Sequence, residues 1–404
     1  MLGRTSPSYP ARGYSLPRAG TFGARPRSLL TRAFARNSVL RQMDWLLVLV
    51  VGVLSAVGVL LVWSASQPSL LAAGENPHTY MVKQALWALI GLILMFAVSF
   101  ADTRQLRSWA PFAYGATILG LLAVFATHAV NGAHAWINLP GGFQVEPSEF
   151  AKVALVLIVA TVFSRARGGT PGIRHVLIAL ACAAPLIALV VKEPALGVAL
   201  VLVVVTAAMV VLSGARLRVI VALAAIVGGV IFAAGHMHVL KSYQLARFTS
   251  FLHPAANLSG AGYNAAQAKI AVGSGGLLGQ GLFHGQLVAG NYVPSQSTDF
   301  IFTVAGEELG FTGCIVIVVL LGIVIARALR IATRAEDLFG MLVASGIAMW
   351  FAFQSFVNIG MTIGIMPITG LPLPFISYGG SAVFADMIAI GLLQSVHRRH
   401  RVFE

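Results

Sequence analysis

The sequence predicts an all-α membrane protein with about ten transmembrane helices. Of its 404 residues, 58% are hydrophobic and 10% are charged, whereas ordinary soluble domains carry about 25% charged residues. Long apolar runs recur at close to the roughly 20 residues that a helix needs to cross hydrocarbon, without the alternation of barrel strands. The predicted spans are 45–65, 81–100, 109–128, 149–163, 174–191, 194–213, 218–235, 300–326, 338–358 and 376–396.

Basic residues are distributed asymmetrically about these spans. With a cytoplasmic N-terminus, 21 of the 27 Lys and Arg residues fall in cytoplasmic segments and five on the opposite side. This asymmetry follows the positive-inside rule. It explains the net charge of +14 without nucleic-acid binding, which we do not expect. The chain is therefore predicted to cross the inner (plasma) membrane repeatedly, with both termini in the cytoplasm.

The sequence divides into a tail, a membrane domain and a short C-terminal segment. Residues 1–43 are rich in Arg, Ser, Pro and Gly and lack the apolar stretch of a secretory signal, so we predict a disordered basic cytoplasmic tail. Residues 44–397 form the membrane domain and residues 398–404 a cytoplasmic C-terminus. Between spans seven and eight, residues 236–299 form a long extracytoplasmic loop. Loops of that length are usually functional, so we expect the chemistry on the outer face.

Ionisable residues in or at the mouth of spans are costly in a bilayer and are therefore functional candidates. Glu149 and Lys152 are spaced i,i+3 at the outer start of the fourth span, where they can pair on one helix face. Alternatively, they only stabilise a helix start that Ser148 caps. The other candidates are Asp299, Glu307, Glu308 and Asp386.

Asp299 closes the long outer loop at the start of the eighth span. A carboxylate at a water–hydrocarbon boundary can act as a general base, because partial desolvation raises its pKa toward the operating range. The alternative is a helix N-cap, for which Ser297 and Thr298 are equally suitable. Glu307 and Glu308 lie about two turns deeper on the same helix, and we expect at least one of them to face the bundle interior.

Two stretches interrupt the helical pattern. The glycine-rich segment 273–281 has no strand before it, which excludes a dinucleotide site. It either lets backbone N–H groups approach a diphosphate or forms a close helix crossing or turn. Prolines and glycines are too dense in segment 366–381 for a helix, so we predict a broken or re-entrant element buried in protein.

These segments together resemble the SEDS (shape, elongation, division and sporulation) family, the ten-span peptidoglycan glycosyltransferases, from about Asp44 to Arg398. The most specific segment is 372–381, followed by 298–310. Residues 360–370 resemble the elongation branch, RodA, more than the division branch, FtsW. The resemblance implies a polymerase that joins lipid II units to a nascent undecaprenyl-diphosphate-linked glycan in cell-wall elongation and rod-shape maintenance. It also implies a class B penicillin-binding protein as the transpeptidase partner.

The resemblance implies that Asp299 is the catalytic residue. No tightly bound cofactor is expected. The leaving diphosphate nevertheless needs a cation, which Lys152, Arg247 or a divalent Mg or Mn ion would supply. Substrate-binding or supporting roles fall on Glu149, Lys152, Trp136, Arg247, Glu307, Glu308 and Ser377.

The chain departs from the family pattern at three places. Glu146 stands where the family usually has Gln. Glu193 and Ala195 replace the first and third residues of the usual Gln-Pro-Asp-Leu-Gly, and Asp386 stands where a neutral residue is common. These changes spare the predicted base, Asp299.

Other functions remain open. A flippase or transporter for lipid-linked precursors would use the charges of Glu307, Glu308 and Asp386 inside the membrane. A non-enzymatic scaffold would not need Asp299, and a division-branch polymerase would share the elongation chemistry. The short cytoplasmic loops and the missing phosphate-loop motif argue against ATP-driven transport by this chain alone.

Overall fold

The computed structural model describes residues 42–126, 135–139, 143–166, 171–216, 218, 219, 221, 225 and 261–402. Residues 1–41 of the predicted tail, most of the seventh span, and residues 236–260 of the predicted outer loop, which include Arg247, lie outside these residues. The helices are α1 (Trp45–Ala72), α2 (Thr79–Ser99), α3 (Thr103–Val124), α4 (Pro147–Ser164), α5 (Ile173–Lys192), α6 (Leu196–Leu212), α7 (Ala261–Ser274), α8 (Gln286–Ala289), α9 (Ile301–Arg334), α10 (Leu338–Ile363) and α11 (Gly380–Val402). Two strands, β1 (Ile137–Leu139) and β2 (Phe143–Val145), precede α4.

The all-α membrane fold is confirmed. In the part of the chain that the structure describes, seven helices are long and apolar enough to cross a membrane, and α6 is a shorter apolar helix. Some helices extend beyond the predicted spans: α3 begins at Thr103, α9 continues to Arg334, and α11 continues to Val402, within the predicted C-terminal segment. Hydropathy marks where a helix leaves hydrocarbon, whereas Arg-rich ends remain helical because Arg is a good helix former.

Helix α4 is the central helix of the bundle. It has Pro147 at its first turn, where the fixed φ of proline suits a helix start, and Glu149 lies favourably near the positive end of the helix dipole. It contacts α3, α5, α6, α10 and α11, and its residues 151–163 are all buried. Glu149 and Lys152 are thus enclosed by protein.

A two-stranded antiparallel hairpin that the sequence did not predict leads into α4. Ile137 pairs with Val145, so Trp136 and Glu146, which flank the two strands, come together at one end of the hairpin. The backbone N–H of Glu146 donates to Ser381 Oγ at 2.9 Å. The hairpin is therefore attached to the start of α11.

The glycine-rich segment 273–281 packs against a break in α9. The break lies at Gly310, whose φ of 68° is outside the helical range and suits glycine. Gln280 donates its backbone N–H to the carbonyl of Glu307 at 2.9 Å, and a Cβ atom on Gly279 would collide with the α9 backbone. The segment therefore forms a close crossing with α9, which is the second of the two interpretations given above.

The predicted re-entrant element lies between α10 and α11. Helix α10 ends at Gly364, which has a left-handed conformation (φ 79°) typical of a helix C-cap. Residues 365–379 contain no helix, and Leu371, Phe375 and several of their neighbours are buried. A Cβ atom on Gly58 of α1 would collide with the backbone of this loop. The loop therefore lies inside the bundle, as its prolines and glycines predicted.

Candidate active site

A polar cavity of about 660 Å³ lies where the hairpin, the starts of α4, α6 and α9, and the re-entrant loop meet. Three of the predicted site residues line it: Asp299, Glu149 and Trp136. The cavity joins positions that are far apart in the sequence, and its polar lining distinguishes it from the rest of the membrane bundle. It is therefore the candidate active site.

The backbone at Asp299 is fixed by two neighbouring elements. Ser377 Oγ of the re-entrant loop donates to the carbonyl of Thr298 at 2.6 Å. Asn358 Nδ2 of α10 donates to the carbonyl of Asp299 at 2.8 Å. A Cβ atom on Gly370 would lie 3.4 Å from Asp299 Oδ2, so a glycine leaves room beside the carboxylate. The carboxylate is half-buried on the cavity wall, in a position that the surrounding hydrogen bonds define.

Asp299 is not the N-cap of α9. That helix begins at Ile301, and its N-cap is Phe300, which makes no side-chain capping hydrogen bond. Thr298 Oγ1 donates to the carbonyl of Ser295 at 3.2 Å, so Thr298 belongs to the preceding turn. The N-cap position of α9 therefore falls on Phe300, and the side chain of Asp299 lines the cavity.

Glu149 and Lys152 form a buried ion pair, as their spacing predicted. They are 2% and 1% exposed, and Lys152 Nζ lies 2.6 Å from Glu149 Oε2. Lys152 Nζ also donates to Gln354 Oε1 at 3.1 Å and lies 4.7 Å from the ring centroid of Trp350. Glu149 lines the cavity and Lys152 does not, so Lys152 supports the wall from behind.

Two further carboxyl groups line the cavity, Glu146 and Glu193. Burial, together with the negative charges of Glu149 and Asp299, raises the pKa of Glu146 to about 7, although Ser148 and Lys152 oppose the change. Burial and the charge of Glu146 raise the pKa of Glu193 to about 8. Both carboxyls therefore change protonation near neutral pH. In the sequence, these two residues stand out only as departures from the family pattern.

Glu307 and Glu308 bind the segment that precedes α9. Glu307 accepts hydrogen bonds from the backbone N–H groups of Leu287 and Val288 at 2.7 and 3.1 Å, and thereby holds α8. Glu308 accepts hydrogen bonds from the backbone N–H of Phe283 at 3.1 Å and from the hydroxyl of Ser64 in α1. Neither carboxylate lines the 660 Å³ cavity. Their contacts support the loop.

Asp386 stabilises a turn of the re-entrant loop. Its Oδ2 accepts a hydrogen bond from the backbone N–H of Phe375 at 3.1 Å. Phe375 has a φ of 66°, which is unusual for an aromatic residue. The departure from the family pattern at Asp386 is therefore accommodated by a hydrogen bond to this turn.

Among the described residues, Lys83 is the cation that lines the cavity, and no metal site is evident. Within the described ranges, no group of three or more His, Cys, Asp or Glu side chains is arranged to hold a metal ion. Arg247 lies outside those ranges. Lys83 of α2 lines the cavity, with Nζ 6.0 Å from the ring centroid of Tyr80. Lys83 was predicted only to lie on the outer side and was not a candidate site residue.

An apolar groove of about 840 Å³ runs between α2, α3, α4 and α11. Its lining extends from Ala101 beyond the end of α2 to Ile137 and Val145 of the hairpin and Pro147 of α4. Glu146, between the hairpin and Pro147, lines the polar cavity. The groove and the cavity are thus adjacent, an arrangement that suits an apolar chain attached to a polar head.

Comparison with known proteins identifies the family. Residues 44–402 match the FtsW/RodA/SpoVE family model, described as cell cycle protein. A probable peptidoglycan glycosyltransferase FtsW from Trichlorobacter lovleyi is 36% identical over 368 residues, 88% of this chain and 93% of the relative. The peptidoglycan glycosyltransferase MrdB of Escherichia coli K12 is 34% identical over 361 residues, 89% of this chain and 95% of the relative.

A solved structure supports the same grouping. It concerns structural coordination of polymerization and crosslinking by a peptidoglycan synthase complex, and it matches with a TM-score of 0.73 at 29% identity, covering 89% of this chain and 98% of the other. The fold is therefore that of a multi-pass membrane glycosyltransferase with about ten spans. The chain belongs to the FtsW/RodA/SpoVE (SEDS) family.

Proposed function

We propose that this protein polymerises lipid II into glycan strands on the non-cytoplasmic face of the plasma membrane, with Asp299 as the general base. The observation that carries the proposal is the half-buried carboxylate of Asp299 on the wall of a polar cavity beside an apolar groove. Family membership supports the reaction class. The asymmetric distribution of basic residues supports the orientation.

The reaction transfers a sugar from a diphosphate to a hydroxyl group. The acceptor oxygen attacks the anomeric carbon, the bond from that carbon to the diphosphate oxygen breaks, and the hydroxyl proton passes to Asp299. The leaving diphosphate carries away the bonding electrons, and nearby cations stabilise its charge. Lys83 is suited to that task because it lines the same cavity, and Arg247 is the cation expected from the outer loop.

Both substrates of this reaction carry prenyl chains. The apolar groove offers such a chain a mostly hydrocarbon lining along α2, α3, α4 and α11. Pocket linings of this kind bind apolar ligands, and a few convergent polar groups orient them. A lipid tail in the groove would bring its diphosphate head toward the neighbouring cavity.

Contacts of the intramembrane carboxylates favour an enzyme over a transporter. Glu307 and Asp386 each accept backbone hydrogen bonds, and Glu308 accepts one from a hydroxyl group. Each of these carboxylates has at least one oxygen engaged in a hydrogen bond to the surrounding protein, which makes it less suited to bind a translocated charge. The cavity carboxylates lie instead at one end of the helices, where polymerisation chemistry would occur.

The elongation role and the partner rest on different observations. Residues 360–370 resemble RodA, which supports cell-wall elongation and rod-shape maintenance. Relatives named FtsW and MrdB match at 36% and 34% identity, and a division role is the alternative. A class B penicillin-binding protein is the proposed partner, since the related peptidoglycan synthase complex coordinates polymerization with crosslinking.

The proposal is tested by assaying purified protein with lipid II, with Asp299→Asn as the key variant. Asn keeps the size of the side chain but cannot accept a proton, and general-base catalysis contributes about 10²- to 10⁴-fold. Glycan polymer should therefore fall by at least about a hundredfold, with thermal stability unchanged. Asp299→Glu should also be poor, because the base must be accurately positioned.

Asp102→Asn is the matched control, since Asp102 lies at the opposite end of the helices from Asp299. There its Oδ1 lies 3.2 Å from Nη2 of Arg398. It should polymerise normally. Translocation of labelled lipid II without polymer would instead indicate a flippase. Full polymerisation by Asp299→Asn would remove Asp299 from the mechanism.

A further inference from the structure

Glu193 is a buried carboxyl group without a partner. It is 1% exposed, and neither Oε1 nor Oε2 makes a hydrogen bond. Leaving a buried polar group unpaired costs free energy, and such a group calls for an explanation. Because Glu193 lines the polar cavity, a ligand in that cavity could supply the missing hydrogen bonds.

The chain near Glu193 and the side chain of Asp299 both approach the re-entrant loop. Glu193 follows α5, and Gly197 in the first turn of α6 packs so closely that a Cβ atom there would lie 2.9 Å from the carbonyl oxygen of Thr369. The next residue, Gly370, is the one adjacent to the carboxylate of Asp299. The first turn of α6, which closely follows Glu193, and the carboxylate of Asp299 therefore both lie against the same short segment of the re-entrant loop.

The charges around Glu193 favour its neutral form. The carboxyl groups of Glu146, Glu149 and Asp299 line the same cavity. Lys152 forms an ion pair with Glu149, and Lys192 Nζ lies 5.4 Å from the ring centroid of Phe125. Neither lysine lines the cavity. Lys83 is the remaining cation among the described residues that line the cavity.

Burial and the neighbouring Glu146 keep the pKa of Glu193 at about 8, so this carboxyl is mostly protonated at neutral pH. A protonated carboxyl donates one hydrogen bond and accepts another. This combination matches a hydroxyl or an amide, whereas a cationic ligand would require the carboxylate form.

We infer that Glu193, as a neutral carboxylic acid, binds an uncharged hydroxyl or amide group of the sugar substrate. This inference rests on the proposed function, because it takes the ligand to be the sugar of lipid II. It makes Glu193 a substrate-binding residue and gives it no part in the proton transfer to Asp299. A divalent cation is the less suitable ligand, given that no metal-holding group of three side chains occurs within the described ranges.

The test compares Glu193→Gln with Glu193→Ala in lipid II binding and in polymerisation kinetics. Gln is uncharged and both donates and accepts hydrogen bonds. The affinity of Glu193→Gln for lipid II should therefore stay within about twofold of wild type. Ala should raise the dissociation constant and KM about tenfold, as expected for the loss of one or two hydrogen bonds, with kcat little changed. Glu75→Gln, at an exposed position outside the cavity, is the control.

The pH dependence distinguishes the neutral acid from the carboxylate. Wild-type KM should rise as pH increases through about 8, because ionised Glu193 loses its donor, and this rise should be absent in Glu193→Gln. Equal lipid II affinity in wild type and Glu193→Ala would overturn the inference, as would a larger loss in Gln than in Ala. If wild-type protein binds no lipid II at all, both the inference and the proposed function fail. If wild-type protein binds lipid II no better than Glu193→Ala does, only the inference fails.

Discussion

Ser377 Oγ lies 2.6 Å from the carbonyl oxygen of Thr298, so the re-entrant loop is bonded directly to the residue before Asp299. The same hydroxyl accepts a hydrogen bond from the N–H of Leu373 at 2.8 Å. Ser377 is buried, and water therefore cannot easily replace either bond. One hydroxyl group thus connects the fold of the loop with the position of the proposed base.

Ser377→Ala should lower the rate of polymerisation as well as the stability of the fold. The change leaves the Leu373 N–H unpaired at a cost of about 1–3 kcal/mol, and displacement of a catalytic group by about 1 Å can lower the rate about a hundredfold. We expect kcat to fall at least about tenfold in a lipid II assay. Ser345→Ala is the control, because Ser345 bonds within its own helix. Wild-type kcat in Ser377→Ala would show that Asp299 is positioned without this bond.

Lys152→Met should strongly destabilise the protein. Removing one member of a buried ion pair costs about 3–5 kcal/mol, because the other charge is left unpaired, whereas replacing both members can be nearly neutral. The double variant Glu149→Gln/Lys152→Met should therefore regain much of the thermal stability of wild type. It should not regain activity, since Glu149 lines the cavity. A fully active double variant would limit the pair to a structural role.

Local chemistry in the sequence predicted much of the fold and part of the site. Apolar runs predicted most spans, because a bilayer requires long apolar helices. The i,i+3 spacing predicted the Glu149–Lys152 pair, since helix geometry alone sets that distance. The density of proline and glycine in segment 366–381 predicted its irregular backbone.

Long-range packing accounts for what the sequence did not predict. Lys83 and Glu193 reach the cavity of Asp299 only because three distant helices converge. The hairpin before α4 was not predicted, because strands of three residues are too short to show the alternation of apolar and polar residues that marks a strand. Glu307 was a candidate for substrate binding, yet its partners are backbone N–H groups about 20 residues earlier in the sequence, and no spacing rule connects them.

The orientation of the protein can be tested with single cysteines. In a background carrying Cys182→Ala and Cys314→Ala, a cysteine at exposed Glu75 should react with a membrane-impermeant reagent in intact spheroplasts. A cysteine at exposed Thr333, near the end of α9, should react only after lysis, because the basic residues around it favour the cytoplasm. The reverse pattern would invert the topology and place the cavity in the cytoplasm.

Stability should depend on pH through Glu193. The folded-state pKa is about 8, above the ordinary value of 4.5, so the folded protein holds this proton more tightly than the unfolded chain does. The resulting stabilisation is complete below about pH 4.5, decreases as the unfolded chain loses its proton, and is lost as pH rises through 8. The thermal midpoint of wild type relative to Glu193→Gln should therefore fall over this window and level off above it. Measuring both proteins in the same detergent across the window removes the contribution of titrating groups that do not interact with Glu193. Parallel curves would show that Glu193 titrates normally in the folded protein.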